Sequence, residues 1–411
     1  MEEVVTRNIT FRIYPTREQE DILVSWLELH RRLYNAALWE KRQHYRLTGE
    51  HLSYRSQQNH FLMWWKEVHP ECKALGSHAL QETVRRVDRA FKGFYVRIKK
   101  GLPAGLPRFK GRNRLKSFTY PDPAGWKYLG GKGRTHRIRI TNLGVLKARG
   151  MPRVVIEKGQ PRCLTIRKRQ GKWYATITVR YPMEALKRKR RGYLEAGLDP
   201  GSCNLVTLSD GTKYKAPASL EKNLARLKSL QRDLSRKEKD SNRYRKTRRR
   251  VAKLHEKVAN QRKDHLHKLS AFLVVLYVYL AVEKMELMRL TRSINTNKAK
   301  LNRHMLDAGI AMFISMLAYK AEEAGGYSKE VRPDAENAFT RRCSGCGADV
   351  PKSLYQRRHR CKHCGLEIDR DVNAAINILE YAKQSEAGPA SAWRGGPPPQ
   401  RNAKPSLCAK A

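Results

Sequence analysis

Between Arg341 and Leu379 the chain reads RRCSGCGADVPKSLYQRRHRCKHCGLEIDRDVNAAINIL, and this stretch imposes two chemical demands that any fold must meet. The first comes from two Cys-x2-Cys pairs, Cys343/Cys346 and Cys361/Cys364, with fourteen residues between them. A two-residue spacer turns both sulfurs of a pair toward one point. Two such pairs supply four thiolates for one tetrahedral Zn2+ with metal–sulfur distances of about 2.3 Å. Gly345, Gly347 and Gly365 provide the tight turns such knuckles need. Two disulfides or four buried thiols are the competing reading. The second demand is a carboxylate pair, Asp369 and Asp371, opening a short Ala/Ile-rich helix. Positions two apart lie about 200° around a helix. Ala375, Ile378 and Ala382 share the face of Asp371, so that acid is expected against a sheet, while Asp369 points away as a helix cap.

With 411 residues the chain is long enough for several domains and a sizeable core. Its 85 Lys and Arg against 38 Asp and Glu leave a formal net charge of +47, spread along the chain and not confined to a tail. Such an excess calls for a long polyanion, nucleic acid before all others, bound with steep salt dependence. A ribosomal role is the blander alternative, but ribosomal proteins are usually smaller and lack a carboxylate set. Cys72, Cys163, Cys203 and Cys408 show no pairing pattern, as expected in a reducing cytosol. The N-terminal MEEVVTRNITFRIYP lacks the apolar core of a signal peptide. The longest apolar run, Ala271 to Val282, is too short to span a bilayer and reads as buried core. A cytoplasmic protein with no membrane partner is the expectation.

Ile9 to Tyr14 alternates and predicts a first strand, ended by Pro15; Thr16-x-x-Gln19 is a capping box opening a helix. Helical periodicity continues from Ser53 to Trp65 and from Ser77 to Lys99, where Leu80, Val84, Val87 and Phe91 share a face. A Gly/Pro-punctuated connector follows to Asp122. Strands are expected near Arg137–Thr141, Val154–Glu157, Leu164–Lys168 and Lys172–Tyr181, the last two joined by an Arg169-Gln170-Gly171 turn. The charged stretch 184–192 is the best domain boundary. Beyond it, Tyr193–Asp199 reads as a strand ending in an acid, with Asn204–Leu208 and Thr212–Ala216 completing a meander around Ser209-Asp210-Gly211. Ser219 to Leu269 is a long basic helical segment, broken into a hairpin at Asp240-Ser241-Asn242. Val278–Met285 is a buried strand bearing Glu283, with Glu286 as the rival acid, and Leu301–Glu322 an amphipathic helix. The Pro/Gly/Ala-rich tail, 384–411, reads as disordered.

The segment Asp371-Val372-Asn373-Ala374-Ala375-Ile376-Asn377-Ile378 resembles the third acidic motif of RuvC-like nucleases. In particular it resembles the DRDxNAAxNI segment of the TnpB family, transposon-encoded relatives of type V CRISPR effectors, in which a four-cysteine zinc element directly precedes the aspartate. Phe11–Thr16, Pro107-Arg108-Phe109-Lys110, GLDPG at 197–201, AVEKM at 281–285 and the LNR…YKAE ends of the 301–322 helix are similar to the same family and in the same order. The resemblance covers the chain to about Lys383.

It implies an α+β multidomain protein: an N-terminal β-barrel (the wedge) with a helical insert, then a RuvC-like α/β nuclease domain of ribonuclease H fold carrying an inserted zinc ribbon. The implied division is 1–14 first wedge strand, 15–100 helical recognition insert, 101–183 wedge β-barrel, 184–192 linker, 193–335 nuclease, 336–368 zinc ribbon and 369–383 last nuclease helix. Asp199, Glu283 and Asp371 would be the catalytic acids, holding two Mg2+, with one structural Zn2+ on Cys343, Cys346, Cys361 and Cys364. The implied partners are a guide RNA and a double-stranded DNA target, with the protein a monomer in a ribonucleoprotein. The implied activity is RNA-guided, Mg-dependent endodeoxyribonuclease action beside a short DNA motif. A compact type V CRISPR effector, a DNA-strand transferase on the same fold and a guide-dependent DNA-binding regulator without cleavage stay open. A non-cutting relative would be expected to lack one acid.

Overall fold

The computed structural model describes residues 4–150, 156–186, 192–201, 204–284, 306–333, 338–353 and 356–385. The chain forms two compact units, Met1–Lys187 with Arg248–Lys253, and Arg188–Thr247 with Leu254–Ala411.

The first unit is built on a seven-stranded sheet. Strand β1 (Val4–Tyr14) starts earlier than its sequence pattern suggests. In chain order it is followed by β2 (Ser117–Tyr120), β3 (Trp126–Lys132), β4 (Thr135–Ile140), β5 (Gly144–Arg149), β6 (Gln160–Arg169) and β7 (Lys172–Pro182). All pairs are antiparallel, in the order β2-β6-β7-β1-β5-β4-β3. Among the described residues the ladders therefore run as one sheet with two ends, β2 and β3. Alternation buries Phe11, Ile13, Ile138, Ile140, Ile177 and Val179 on one face. Gln170 and Gly171 both take positive φ, 50° and 74°, as a two-residue hairpin turn of the primed type requires. The strand expected at Val154–Glu157 is not formed where it is described: residues 151–155 lie outside the described residues, and Ile156–Lys158 is a single 3-10 turn with Ile156 buried.

The insert after β1 begins as the capping box dictates. Thr16 Oγ1 accepts from the Gln19 amide at 3.3 Å, and Gln19 Oε1 accepts from the Thr16 amide at 3.1 Å. Helix α1 (Arg17–Thr48) ends at Gly49, φ 73°. It packs on α2 (Ser77–Lys99), which buries Leu80, Val84 and Val87, and a Lys41–Asp88 ion pair of 2.8 Å ties the two together. The helical signal between them becomes two short helices, Tyr54–Ser56 and Leu62–Val68, joined through a π-turn at Gln57–Phe61. The Pro107–Lys110 connector is strapped to α1: Arg31 and Asn35 donate to the Lys110 carbonyl at 2.9 and 3.0 Å, and Arg42 lies 4.9 Å over the Phe109 ring.

The second unit carries a five-stranded sheet. Strands β8 (Leu194–Pro200), β9 (Asn204–Leu208) and β10 (Lys213–Lys215) form the expected antiparallel meander. Strand β11 (Tyr277–Glu283) then lies parallel to β8, and β12 (Tyr327–Val331) parallel to β11, giving the order β10-β9-β8-β11-β12. The basic segment is a hairpin of α3 (Leu224–Ser235) and α4 (Asn242–Leu276), broken where Asp240 takes φ 66° and Ser241 caps α4. Helix α4 passes straight into β11, so the apolar run 271–282 is divided between a helix end and a strand. Leu266, Leu269 and Leu273 of α4, with Phe313 and Leu317 of α5 (Ile310–Glu323), cover the sheet face made by Ala196, Leu198, Leu280 and Val282. Helix α6 (Arg370–Gln384) covers the opposite face, packing Ala374, Ile378 and Ala382 on Ala281 and Val331. A two-stranded ribbon, β13 (Arg358–Arg360) and β14 (Glu367–Asp369), precedes it. The start of the expected 301–322 helix, the rival acid Glu286 and residues 386–411 of the tail lie outside the described residues, whereas Gln384 still belongs to α6. Among the described residues no helix is long and apolar enough to cross a membrane.

Candidate active site and metal centre

The four cysteine sulfurs converge. Cys343 and Cys364 stand 3.6 Å apart, as do Cys346 and Cys361, and all four ligand atoms lie within 4.8 Å of one another. A tetrahedron with bonds of about 2.3 Å has edges of about 3.8 Å, whereas a disulfide would bring two sulfurs to about 2.05 Å. The spacing fits a metal and excludes the disulfide reading. Each knuckle closes in the same way. Gly347 N–H donates to the Cys343 carbonyl at 2.9 Å and Gly365 N–H to that of Cys361 at 3.0 Å, with φ near 77° and 74°. Within the cluster, backbone N–H groups of Cys364 and His363 hold the Cys361 thiol down to about 6, while at Cys364 the Leu366 backbone is outweighed by the neighbouring thiols of Cys346 and Cys343, which push it up to about 12. Elemental analysis should find one zinc per chain, and a Cys343→Ser/Cys346→Ser double variant should lose it. Folded protein with no bound metal would remove the zinc reading.

The carboxylates are placed by strand register and one glycine. Strands β11 and β8 pair in parallel through Leu280↔Ala196, Ala281↔Gly197 and Val282↔Leu198. The next residues along the two strands are Glu283 and Asp199. A Cβ on Gly197 would stand 1.8 Å from the Ala375 carbonyl oxygen, so only glycine lets the α6 backbone lie this close to β8. Alternation puts Gly197 and Asp199 on one face, and the paired Ala281 and Glu283 on that same face. Asp371 sits one helical turn before Ala375. The register thus sets the two strand acids side by side on the face that α6 covers, and the helix acid lies close enough for its charge to act on Asp199.

Their electrostatics agree. Asp199 keeps some surface open to solvent, yet protein surrounds its carboxyl on most sides. Burial first, then the negative charges of Asp371 and Glu283, raise its pKa well above the ordinary carboxylate range, while Arg370 opposes the shift. Burial also pushes Glu283 up. Asp371 is balanced by Arg370, whose Nε and Nη2 both lie 3.2 Å from Oδ1, and more distantly by Arg357 at 3.8 Å from Oδ2. A bound cation would relieve the repulsion that Asp371 and Glu283 exert on Asp199, and oxygen ligands of this kind suit Mg2+.

Asp369 behaves as the helical geometry predicts. Its Oδ1 accepts from the Asp371 and Val372 amides at 3.0 and 3.3 Å, and its Oδ2 meets Lys213 Nζ at 2.5 Å. Partial burial works to raise its pKa, but Lys213 and the two amides hold it below the usual range. Sequence reasoning passed over Asn373 and Asn377. Both are buried on the apolar side of α6 and bond to the first cysteine knuckle. Two polar residues one turn apart within an otherwise apolar helical face are the signal that could have found them.

Comparison with known proteins gives a consistent likeness. The OrfB_IS605 family model, described as "Probable transposase", matches residues 176–293. A Cas12f1-like TNB domain model matches 311–378, and a helix-turn-helix domain model matches 1–50, where the described residues form β1 and α1. A protein of Escherichia coli K12 named "Putative RNA-guided DNA endonuclease InsQ" is 30% identical over 382 residues, covering 90% of each chain. A like-named protein of Streptomyces pristinaespiralis is 30% identical over 405 residues, 98% of this chain and 94% of that one. Among solved structures, Cas12f1 in complex with sgRNA and target DNA has a TM-score of 0.59 at 13% identity, over 92% of this chain and 99% of that one; at this identity the likeness concerns the fold.

Proposed function

The chain belongs to the TnpB family, and from that premise we propose that it is an RNA-guided DNA endonuclease of a transposable element, cutting double-stranded DNA beside a short recognised motif. The observation that supports the reading is the strand register that sets Asp199 beside Glu283, together with the negative charges of Asp371 and Glu283 acting on Asp199. An antiparallel meander continued by two parallel strands, with an acid near the end of the first and fourth strands of the unit, supports a RuvC-like domain of ribonuclease H fold. The seven-stranded sheet and its helical insert take the wedge and recognition roles, gripping the guide RNA and the DNA motif.

In this reading Asp199, Glu283 and Asp371 would hold two Mg2+ ions, which when bound activate water and stabilise the leaving oxygen of a phosphodiester. The protein's own part is to hold the three carboxylates in register. Gly197 lets α6 approach, β8 and β11 set the spacing of the strand acids, and the Asp369 cap orients the first turn that presents Asp371. The +47 charge supplies counterions for guide and target phosphates. All three acids are present, which argues against a regulator that binds without cutting.

The test is plasmid cleavage by the ribonucleoprotein, purified after co-expression with the transposon end that flanks its gene. Co-purifying RNA should be evident from the absorbance ratio. Cutting should require Mg2+ and a target matching that RNA, and EDTA should stop it. Cutting indifferent to the guide, or none with a matched target, would overturn the proposal.

A further inference from the structure

The two buried asparagines of α6 have a geometry that packing alone does not demand. Asn373 is wholly buried and Asn377 is 5% exposed, amid Ala374, Ile378 and Phe339. Unpaired amides there would be costly, so where their hydrogen bonds go is informative. They go to the chain on either side of the zinc-site residue Cys343. Asn373 Nδ2 donates to the Arg342 carbonyl at 2.8 Å and its Oδ1 accepts from the Ser344 amide at 3.0 Å. Asn377 Nδ2 donates to the same Arg342 carbonyl at 2.7 Å and to that of Phe339 at 2.8 Å.

The second knuckle reaches the same helix by another route. Beyond Cys364 the chain enters β14, whose last residue, Asp369, caps α6 through the Asp371 and Val372 amides. The start of α6 is therefore held from two sides, by Asn373 in its first turn and Asn377 in its second through the backbone around Cys343, and by the cap through the chain that follows Cys361 and Cys364. The four-cysteine cluster closes these two arms into a ring, and Asp371 stands in the first turn.

We propose that Asn373 and Asn377 are positioning residues that couple metal occupancy of the cysteine cluster to the placement of Asp371, so that a loosened first knuckle silences cleavage while leaving target binding in place. This rests on the zinc and nuclease readings above. Coupling of this kind is reciprocal: breaking the asparagine arm must also loosen the zinc.

The test uses the ribonucleoprotein with Asn377→Asp, which keeps the shape of the side chain but loses the donor, and with Asn373→Ala. The control is Lys320→Met, which breaks buried hydrogen bonds to His267 and Ser270 on the opposite side of the sheet. Zinc release to a chromogenic chelator, cleavage rate at saturating target and target affinity are measured for each. Both asparagine variants should release zinc faster by about tenfold to hundredfold, the range for losing a partner behind a metal ligand. They should cut correspondingly more slowly, keep target affinity within about twofold, and recover part of their rate when micromolar zinc is added. Lys320→Met should release zinc at the parental rate. Unchanged zinc release in the asparagine variants, or release as fast in the control, overturns the coupling. If one asparagine variant fails to fold, the other carries the same expectation. Failure of the parent to cut would count against the nuclease reading instead, since zinc release is read without it.

Discussion

Replacing Asp199 by asparagine will make the metal-free protein more stable and abolish cleavage. The carboxyl of Asp199 is enclosed by protein and lies in the field of Asp371 and Glu283, and these causes raise its pKa well above the ordinary range. An asparagine keeps the shape and removes the charge. Single stabilising substitutions commonly gain about 0.5–2 kcal/mol, with function lost where an active site is strained, and that is a few degrees in thermal midpoint for a unit of this size. The sign with pH follows from the direction of the shift. A carboxyl whose folded pKa is raised binds its proton more tightly when folded, so the parent has no penalty below the unfolded value of about 3.9 and loses stability as pH rises toward the folded pKa. The midpoint difference between variant and parent should therefore be small near pH 4 and widen toward neutrality. Mg2+ should raise the parent's midpoint and leave that of Asp199→Asn nearly unmoved. Thermal melts from acid to neutral pH, with and without Mg2+, measure all of this beside plasmid cleavage. A variant that melts lower than the parent at neutral pH would mean that Asp199 is held by partners that need its charge.

How much of this was legible in the sequence depends on the range of the interaction concerned. The capping box at Thr16 and Gln19, the Gln170-Gly171 turn and the break at Asp240-Ser241 are local, because the residues that specify each lie within a few positions of one another, and all three form as read. The strands β2, β3 and β5 were not legible. They are short, β3 contains Gly130 and Gly131, and β2 and β5 pair with segments distant in sequence, through Phe118↔Ile166 and Ile13↔Ala148. The end of α4 was hidden for a different reason. The exposed positions of the helix end, Phe272 and Val275, are as apolar as the buried ones, so the 271–282 run carries no periodicity to mark the change at Tyr277. In the sequence Gly197 stands out only as part of the GLDPG segment at 197–201. Its physical reason, the Ala375 carbonyl pressed against it, needs two segments far apart in the chain to be brought together. The same holds for Asn373 and Asn377, whose partners come from the first cysteine knuckle.

Asp371→Ala should abolish cleavage while guide and target binding persist, whereas Asp369→Ala should keep cleavage and lose stability. The two acids are separated by a single residue, so the contrast tests the geometry and not merely the local charge. Ala375, Ile378 and Ala382, on the face of Asp371, are fully buried, and the Ala375 carbonyl touches β8 two residues before Asp199. Asp371 is also a charge that Asp199 senses directly, second only to burial. Asp369 is occupied otherwise, its oxygens committed to the Asp371 and Val372 amides and to Lys213. Loss of a residue behind a metal ligand typically costs 10- to 100-fold, so loss of a ligand itself should exceed about 100-fold. Removing an N-cap costs about 1 kcal/mol, and the partly exposed pair with Lys213 adds little. The melting point of Asp369→Ala should fall by a few degrees and its cleavage rate by less than about tenfold, through a less rigid first turn. If both acids served only to favour the positive end of the α6 dipole, each would be worth under about 1 kcal/mol, and the two variants would behave alike. Cleavage rates at several Mg2+ concentrations, measured beside target binding, separate the cases. Near-parental cutting by Asp371→Ala would remove the metal-ligand assignment for this motif.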